Sequence, residues 1–233
     1  MPPFLYPYTV RRSSRARHVR LVVAEDGLVV VVPQRFCVSR DLPPILESKK
    51  DWIGKALTKV SARARLKEET RGVPQTVELR ALGESWRVGF ELLARERLVA
   101  GDGGTLTLAA DFNEAEAIAA LKRWVRRRAG EHLPPLLAEI AGRHGFGYGN
   151  VAVKEQKSLW GSCSSKGNVN LNSRLLFLPA HLVRHVILHE LCHLREMNHS
   201  AAFHRLLSKL DPDAADNADE LRHAWAFVPG WAL

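Results

Sequence analysis

Residues 181–204 read HLVRHVILHELCHLREMNHSAAFH, and this stretch decides the fold of the second half of the chain. Pro179 stands just ahead of it, where a residue without an N–H can open a helix. Leu182, Val183, Val186, Ile187 and Leu188 then make that helix apolar enough to be buried. Within it lies His189-Glu190-Leu191-Cys192-His193. Helix positions four apart sit one turn above each other, so both imidazoles can face a single metal ion. Glu190 projects about a quarter turn away, within reach of water at an open metal position but not placed to ligate. Burying such a cluster without a cation is costly. With ten His and sixteen Glu in 233 residues, chance supplies a pentad of this kind only ~0.03 times per chain.

A catalytic zinc needs a third protein ligand and keeps its fourth position open. His199, six residues after His193, fills that role if the helix stops near Leu194–Glu196 and the chain turns back, with Asn198 at a left-handed turn position. Glu196, His204 and Glu220 compete with it. Glu196 comes too soon, His204 belongs to the next helix, and Glu220 sits in a distant acidic segment. A short rigid turn fixes ligand geometry better than a remote helix, which favours His199. The ten-residue spacing from His189 to His199 matches metzincins, but Glu196 stands where they have glycine. The only methionines, Met1 and Met197, leave no Met-turn downstream.

Upstream, the pattern divides the chain. Residues 1–110 read as a basic, β-rich domain with one helix. Val19–Val23 and Leu28–Val32 form a hairpin around Glu25-Asp26-Gly27, and a helix runs over 42–70. Short strands follow at Thr76–Leu79, Ser85–Phe90 and Thr105–Leu108. From residue 111 to 233 helix dominates. Ala115–Ala129 is preceded by an Asn113/Glu116 capping pattern, and a second helix spans Leu133–His144 with Pro134 in its first turn. Val151–Val153, Val169–Leu171 and Leu175–Phe177 look extended. The class is α+β.

Composition narrows the partners. Net charge is +9, and residues 1–75 contribute +8 of it, from 15 Lys/Arg against 7 Asp/Glu. An anionic partner for that segment, a nucleotide or nucleic acid, is therefore expected. Arg11, Arg12, Arg15, Arg17 and Arg20 are spaced to line a strand face. No apolar run reaches the ~20 residues a membrane helix requires. The first residues lack a signal-peptide pattern, and three scattered cysteines argue for a reducing compartment; a cytoplasmic protein is expected.

The chain also resembles a known family. Residues 150–204, and more loosely the whole chain, are similar to the YgjP-like predicted metal-dependent hydrolases, relatives of the SprT-like zinc metallopeptidases. The resemblance is carried by Lys157-Ser158-Leu159-Trp160-Gly161-Ser162-Cys163, by Asn170-Leu171-Asn172 with Arg174-Leu175, and by Pro179. The His189–His193 pentad, Asn198-His199-Ser200 and Phe203 complete it, with Arg15-Ala16-Arg17 and Trp52-Ile53 in the opening domain. It implies a zincin-like fold for residues 111–233, with His189, His193 and His199 as zinc ligands and Glu190 as general base. Leu159 stands where the family usually has Arg, His204 where it has Trp, and His185 where an aromatic is frequent.

These readings converge on a zinc-dependent hydrolase of metallopeptidase type, although imidazoles also suit other divalent transition metals. Its substrate would be a polypeptide carbonyl, with Glu190 taking a proton from water and passing it to the leaving amine. The resemblance also implies a second reading, a nucleoside triphosphate (uridine triphosphate) pyrophosphohydrolase served by the basic segment. It lacks the carboxylate cluster that phosphohydrolases use to hold Mg²⁺. A nucleic-acid-associated module with structural zinc is the third, and an open three-histidine site beside a glutamate argues against it. Trp160 to Cys163 are expected as a substrate-side wall. Cys163 and Cys192 are expected as small buried residues, and His185 as a packed helix histidine.

Overall fold

A computed structural model of the chain describes residues 4–24, 27–93 and 97–233, without the side chains of Lys59 and of residues 62–69. Two compact units emerge, divided at Glu69/Thr70.

The first unit is a three-stranded sheet backed by two helices. Strands β1 (Tyr8–Ser13), β2 (Arg20–Ala24) and β3 (Gly27–Pro33) lie in the order β1-β3-β2. The expected hairpin is present as antiparallel β2/β3, while β1 joins the other side of β3 in parallel; Glu25 and Asp26 of the turn lie outside the described residues. Alternation along β3 sends Leu28, Val30 and Val32 inward. They meet Leu42 and Leu46 of α1 (Val38–Ser48) and Ile53 of α2 (Lys50–Glu69). The helix expected over 42–70 is thus two helices, broken at Lys49, whose φ of −111° and ψ of 8° leave helical geometry. Arg11 of β1 and Arg20 of β2 both pair with Val31, so two cations flank one β3 residue.

The second unit begins earlier than residue 110. Strands β4 (Thr76–Leu79), β5 (Glu84–Glu91), β6 (Leu98–Gly101) and β7 (Thr105–Ala109) form a sheet ordered β4-β5-β7-β6. Its Val77, Leu79, Leu106 and Leu108 share one continuous core with Leu121, Trp124 and the later helices. A boundary at 110 would cut through that core, so the division predicted from the change of pattern is corrected to 69/70. The two expected helices after residue 113 are one, α3 (Glu114–His144), which runs through Pro134 and Pro135. Each proline removes a helical hydrogen bond, but buried Leu133 and Leu137 bracket them and keep both halves on the same core. The Asn113/Glu116 capping box is present in full, and Gly145 at φ 66° ends the helix in a left-handed turn.

A small sheet and three helices complete this unit. Strands β8 (Val151–Lys154), β9 (Gly161–Cys163) and β10 (Val169–Asn172) lie in the order β8-β10-β9, with β9 antiparallel at one edge. Leu175–Phe177, expected as extended, belong to a 3₁₀ turn over Ser173–Phe177, started by the Asn172 side chain accepting from Arg174 N–H. Helices α4 (Ala180–Cys192), α5 (Ala201–Leu210) and α6 (Ala214–Leu221) follow. The unit closes on itself: Gly230 N–H donates to Thr70 Oγ1 at 2.7 Å and Trp231 N–H to the Thr70 carbonyl at 2.9 Å. Among the described residues no helix is long and apolar enough to cross a membrane.

Candidate metal centre

Helix α4 starts where Pro179 was expected to open it, and buries Leu182, Val183, Val186, Ile187, Leu188 and Leu191. That burial fixes which face carries the histidines. The helix ends at Cys192, slightly earlier than expected, with His193 as its cap residue. Among the described residues no non-glycine residue has positive φ, so the return to His199 does not use a left-handed Asn198. The chain instead makes a turn over residues 193–195, where Leu194 and Arg195 N–H donate back to Leu191 and Cys192. Ser200 then caps α5 by accepting from Phe203 N–H.

This path brings His189, His193 and His199 together, with one ring nitrogen from each within 4.8 Å of the others. His189 Nε2 and His199 Nε2 are 3.0 Å apart. Tetrahedral ligand atoms at 2.0–2.1 Å from zinc stand about 3.3 Å apart, so the three imidazoles fit one cation after small rotations. Their protonation suits it. Burial, reinforced by His193 and His199, pushes the His189 imidazole down to about 4, and burial also lowers His199. Both are thus neutral near pH 7, with a lone pair to offer. His193 Nδ1 donates to the Glu196 carbonyl at 3.1 Å, which leaves its Nε2 free to ligate.

Beneath the rings lies a residue to which the sequence reading gave no role. Phe203, fully buried, has its ring centroid 4.9, 4.7 and 4.8 Å from those of His189, His193 and His199. It is the common floor that keeps three imidazoles from collapsing onto one another. In the sequence it is marked by its place four residues after His199 and by its part in the family resemblance.

Glu190 is 6% exposed and shares one pocket with the triad. Burial pushes its carboxyl up to about 7, into the range where it can both accept and release a proton. The pocket has a volume of about 420 Å³. Residues 158–163 wall it on one side, and Val186, Met197 and Leu221 add apolar surface. Leu159 and Met197 are about half exposed there. The wall of residues 158–163 is held from behind. Buried Asn172 donates from Nδ2 to the carbonyls of Gln156 and Leu159, both at 2.7 Å, and its N–H donates to Trp160.

The rival ligands are occupied elsewhere. Glu220 lies 2.9 Å from His181, and Glu196 contributes its backbone carbonyl to His193. His204 is on α5, its ring 6.4 Å from that of His199. Cys192 is fully buried in α4. Cys163 lines the pocket, and burial, with Glu190 beside it, raises its thiol pKa. His185 is packed as expected, but it is not merely filling space. Its Nδ1 lies 2.6 Å from Asp211 Oδ2, and Asn217 Nδ2 donates to both oxygens of that carboxylate, so a buried polar cluster ties α4 to the end of α5 and to α6.

A family model described as YgjP-like, metallopeptidase domain, matches residues 17–224. Two solved structures are similar in part. One is the metallopeptidase zymogen of Pyrococcus abyssi abylysin, 25% identical with a TM-score of 0.36, over 39% of this chain and 92% of that one. The other is the zymogen of Methanocaldococcus jannaschii jannalysin, 20% identical with a TM-score of 0.35, over 39% and 94%. No curated protein matches the chain.

Proposed function

Since the chain belongs to the YgjP-like metallopeptidase family, we propose that it is a zinc-dependent peptidase whose metal is held by His189, His193 and His199 and whose general base is Glu190. The observation that carries this reading is the convergence of three imidazoles and one buried carboxyl on a single pocket. A divalent cation there supplies Lewis acidity, which lowers the pKa of water toward ~7 and polarises a carbonyl. Glu190 takes a proton at its carboxylate and returns it to the leaving amine, as its titration near 7 allows. The edge strand β9, paired only with β10 among the described residues, lines the pocket. An extended peptide can add there by main-chain hydrogen bonds.

The pocket also bears on the nucleotide reading. None of its lining residues is Lys or Arg, while Glu190 and the Cys163 thiol are among them. Beyond the proposed cation, a triphosphate would meet no cationic side chain to balance its remaining charge, a poor match for an anion. A peptide, neutral at its reacting bond, meets no such penalty.

The test compares zinc-loaded wild type with Glu190→Gln on an unfolded, carboxymethylated protein and on a panel of nucleoside triphosphates. Polypeptide cleavage lost by at least ~100-fold in the variant, with no phosphate product from either protein, is expected. Glu190-dependent phosphate release with polypeptide left intact would overturn the proposal in favour of a nucleotide hydrolase.

A further inference from the structure

Glu190 does not occupy its place by its own preference alone. Its side chain lies against the backbone of Gly161 in β9. A Cβ at position 161 would stand 2.7 Å from Glu190 Cγ, 2.8 Å from Oε1 and 3.0 Å from Cδ. No real side chain tolerates such separations, so any residue larger than glycine must displace something. The Gly161 φ lies outside the left-handed region, and an L-residue is therefore allowed by its backbone. The three nearest obstacles all belong to the glutamate.

What yields is decided by how each partner is held. β9 and the residues leading into it are held by three contacts, all from β10. Gly161 pairs with Leu171 of β10. Asn172 N–H binds the carbonyl of Trp160 at 2.9 Å, and Asn172 Nδ2 binds the carbonyl of Leu159 at 2.7 Å. Asn172 itself is fully buried. Among the described residues no hydrogen-bond partner holds the Glu190 carboxylate, and its side chain borders an open pocket. A group at position 161 would therefore leave the strand in place and rotate the carboxylate away from its seat.

We propose that Gly161 is a positioning residue: the absence of a side chain there forms the seat that aims the Glu190 carboxylate at the histidine triad. This rests on the reading of Glu190 as the proton-transfer group. The same strand edge that would receive substrate then also sets where the base stands, so strand register and base position are a single structural variable.

The test uses cobalt- or zinc-loaded full-length protein and acetohydroxamic acid, a metal-chelating probe whose proton must be taken by a nearby carboxylate. Binding is followed by calorimetry and by the cobalt absorption spectrum, so no substrate is needed. Gly161→Ala is expected to retain one metal per chain and weaken acetohydroxamate at least tenfold. Glu190→Gln should do the same, and the double variant should show no further loss. Gly161→Ala binding the probe as tightly as wild type, or losing its metal, would overturn the inference. An unaffected Glu190→Gln would instead sink the reading of the base itself. A thermal readout covers the case in which Gly161→Ala is poorly stable: in a Glu190→Ala background, where the clash is gone, adding Gly161→Ala should leave the melting temperature unchanged. A drop there as large as in wild type would show that the glycine serves the strand and not the carboxylate.

Discussion

The two units of this protein bury different kinds of atoms. Among the described side chains of residues 4–69 the buried hydrophobic ones are Leu28, Val30, Val32, Leu42, Leu46 and Ile53, all aliphatic, and the described arginines stay at the surface. In residues 70–233 the core also takes in Asn172, Ser173, His185, Glu190, Asp211 and Asn217. A polar group can be removed from water only where partners and apolar neighbours surround it on several sides. One sheet face against two helices does not provide that depth, whereas α4, enclosed by α3, α5, α6 and the small sheet, does. Chemistry that needs neutral imidazoles and a carboxyl titrating near 7 therefore resides in the second unit, and the first is left with its charge as its distinguishing property.

Changes in the deep core should test this contrast most severely. Phe203→Ala removes the shared floor of the triad, and the loss of a buried aromatic ring costs about 3–5 kcal/mol. Denaturant titration of the metal-free protein should register that loss, and competition with a chelator should show metal affinity reduced at least ~10-fold. Undiminished metal affinity would mean that the imidazoles hold their geometry without the ring.

Glu190→Gln should act in the opposite direction on stability. The folded carboxyl titrates at about 7 instead of the ordinary 4.5, so the folded state holds this proton more tightly than the unfolded one. Stability of the metal-free wild type is then lost as pH rises from about 4.5 to 7, and the glutamine variant escapes that loss. At pH 8 the variant should be more stable by roughly 3 kcal/mol, and near pH 4 the two should agree. His189, pushed down to about 4, acts with the opposite sign below pH 6.5, but equally in both proteins, so the difference isolates the glutamate. Equal stabilities at pH 8 would place that carboxyl in water.

A smaller effect is expected from Leu46→Ala in the first unit. Its shallow core can partly close over the gap, which puts the loss near the lower end for leucine truncation, about 2 kcal/mol. Zinc stoichiometry should be unchanged. A variant that unfolds early by circular dichroism yet still binds one zinc would sharpen the contrast, whereas one that also loses its metal would break it.

Much of the candidate site was legible because helical spacing is local. His189, Glu190 and His193 follow from a single turn of helix, and His199 from the need for one more ligand soon afterwards. What the spacing could not give was anything arriving from another element. Phe203 reads in the sequence as part of the family pattern with no role of its own, and Gly161 as part of the expected substrate-side wall. The link between His185 and Asp211 spans 26 positions with no pattern to announce it. The fold shows the same division. Strands with strong alternation were found, whereas α3 was split at Pro134 because local propensity there is overridden by the core that Leu133 and Leu137 enter. The boundary near 110 failed for a related reason: a change from strand to helix marks a change of element and says nothing about where one core ends.

The hydrogen bonds from Gly230 and Trp231 to Thr70 join the two extremities of the second unit. Its backbone is thus nearly a closed ring, and the direction in which the chain is threaded through it is incidental to its architecture. A circular permutant, with the extremities bridged by a short linker and new termini cut at the exposed Ser165–Lys166 turn, would reproduce the same sheets and helices and carry the histidine triad intact.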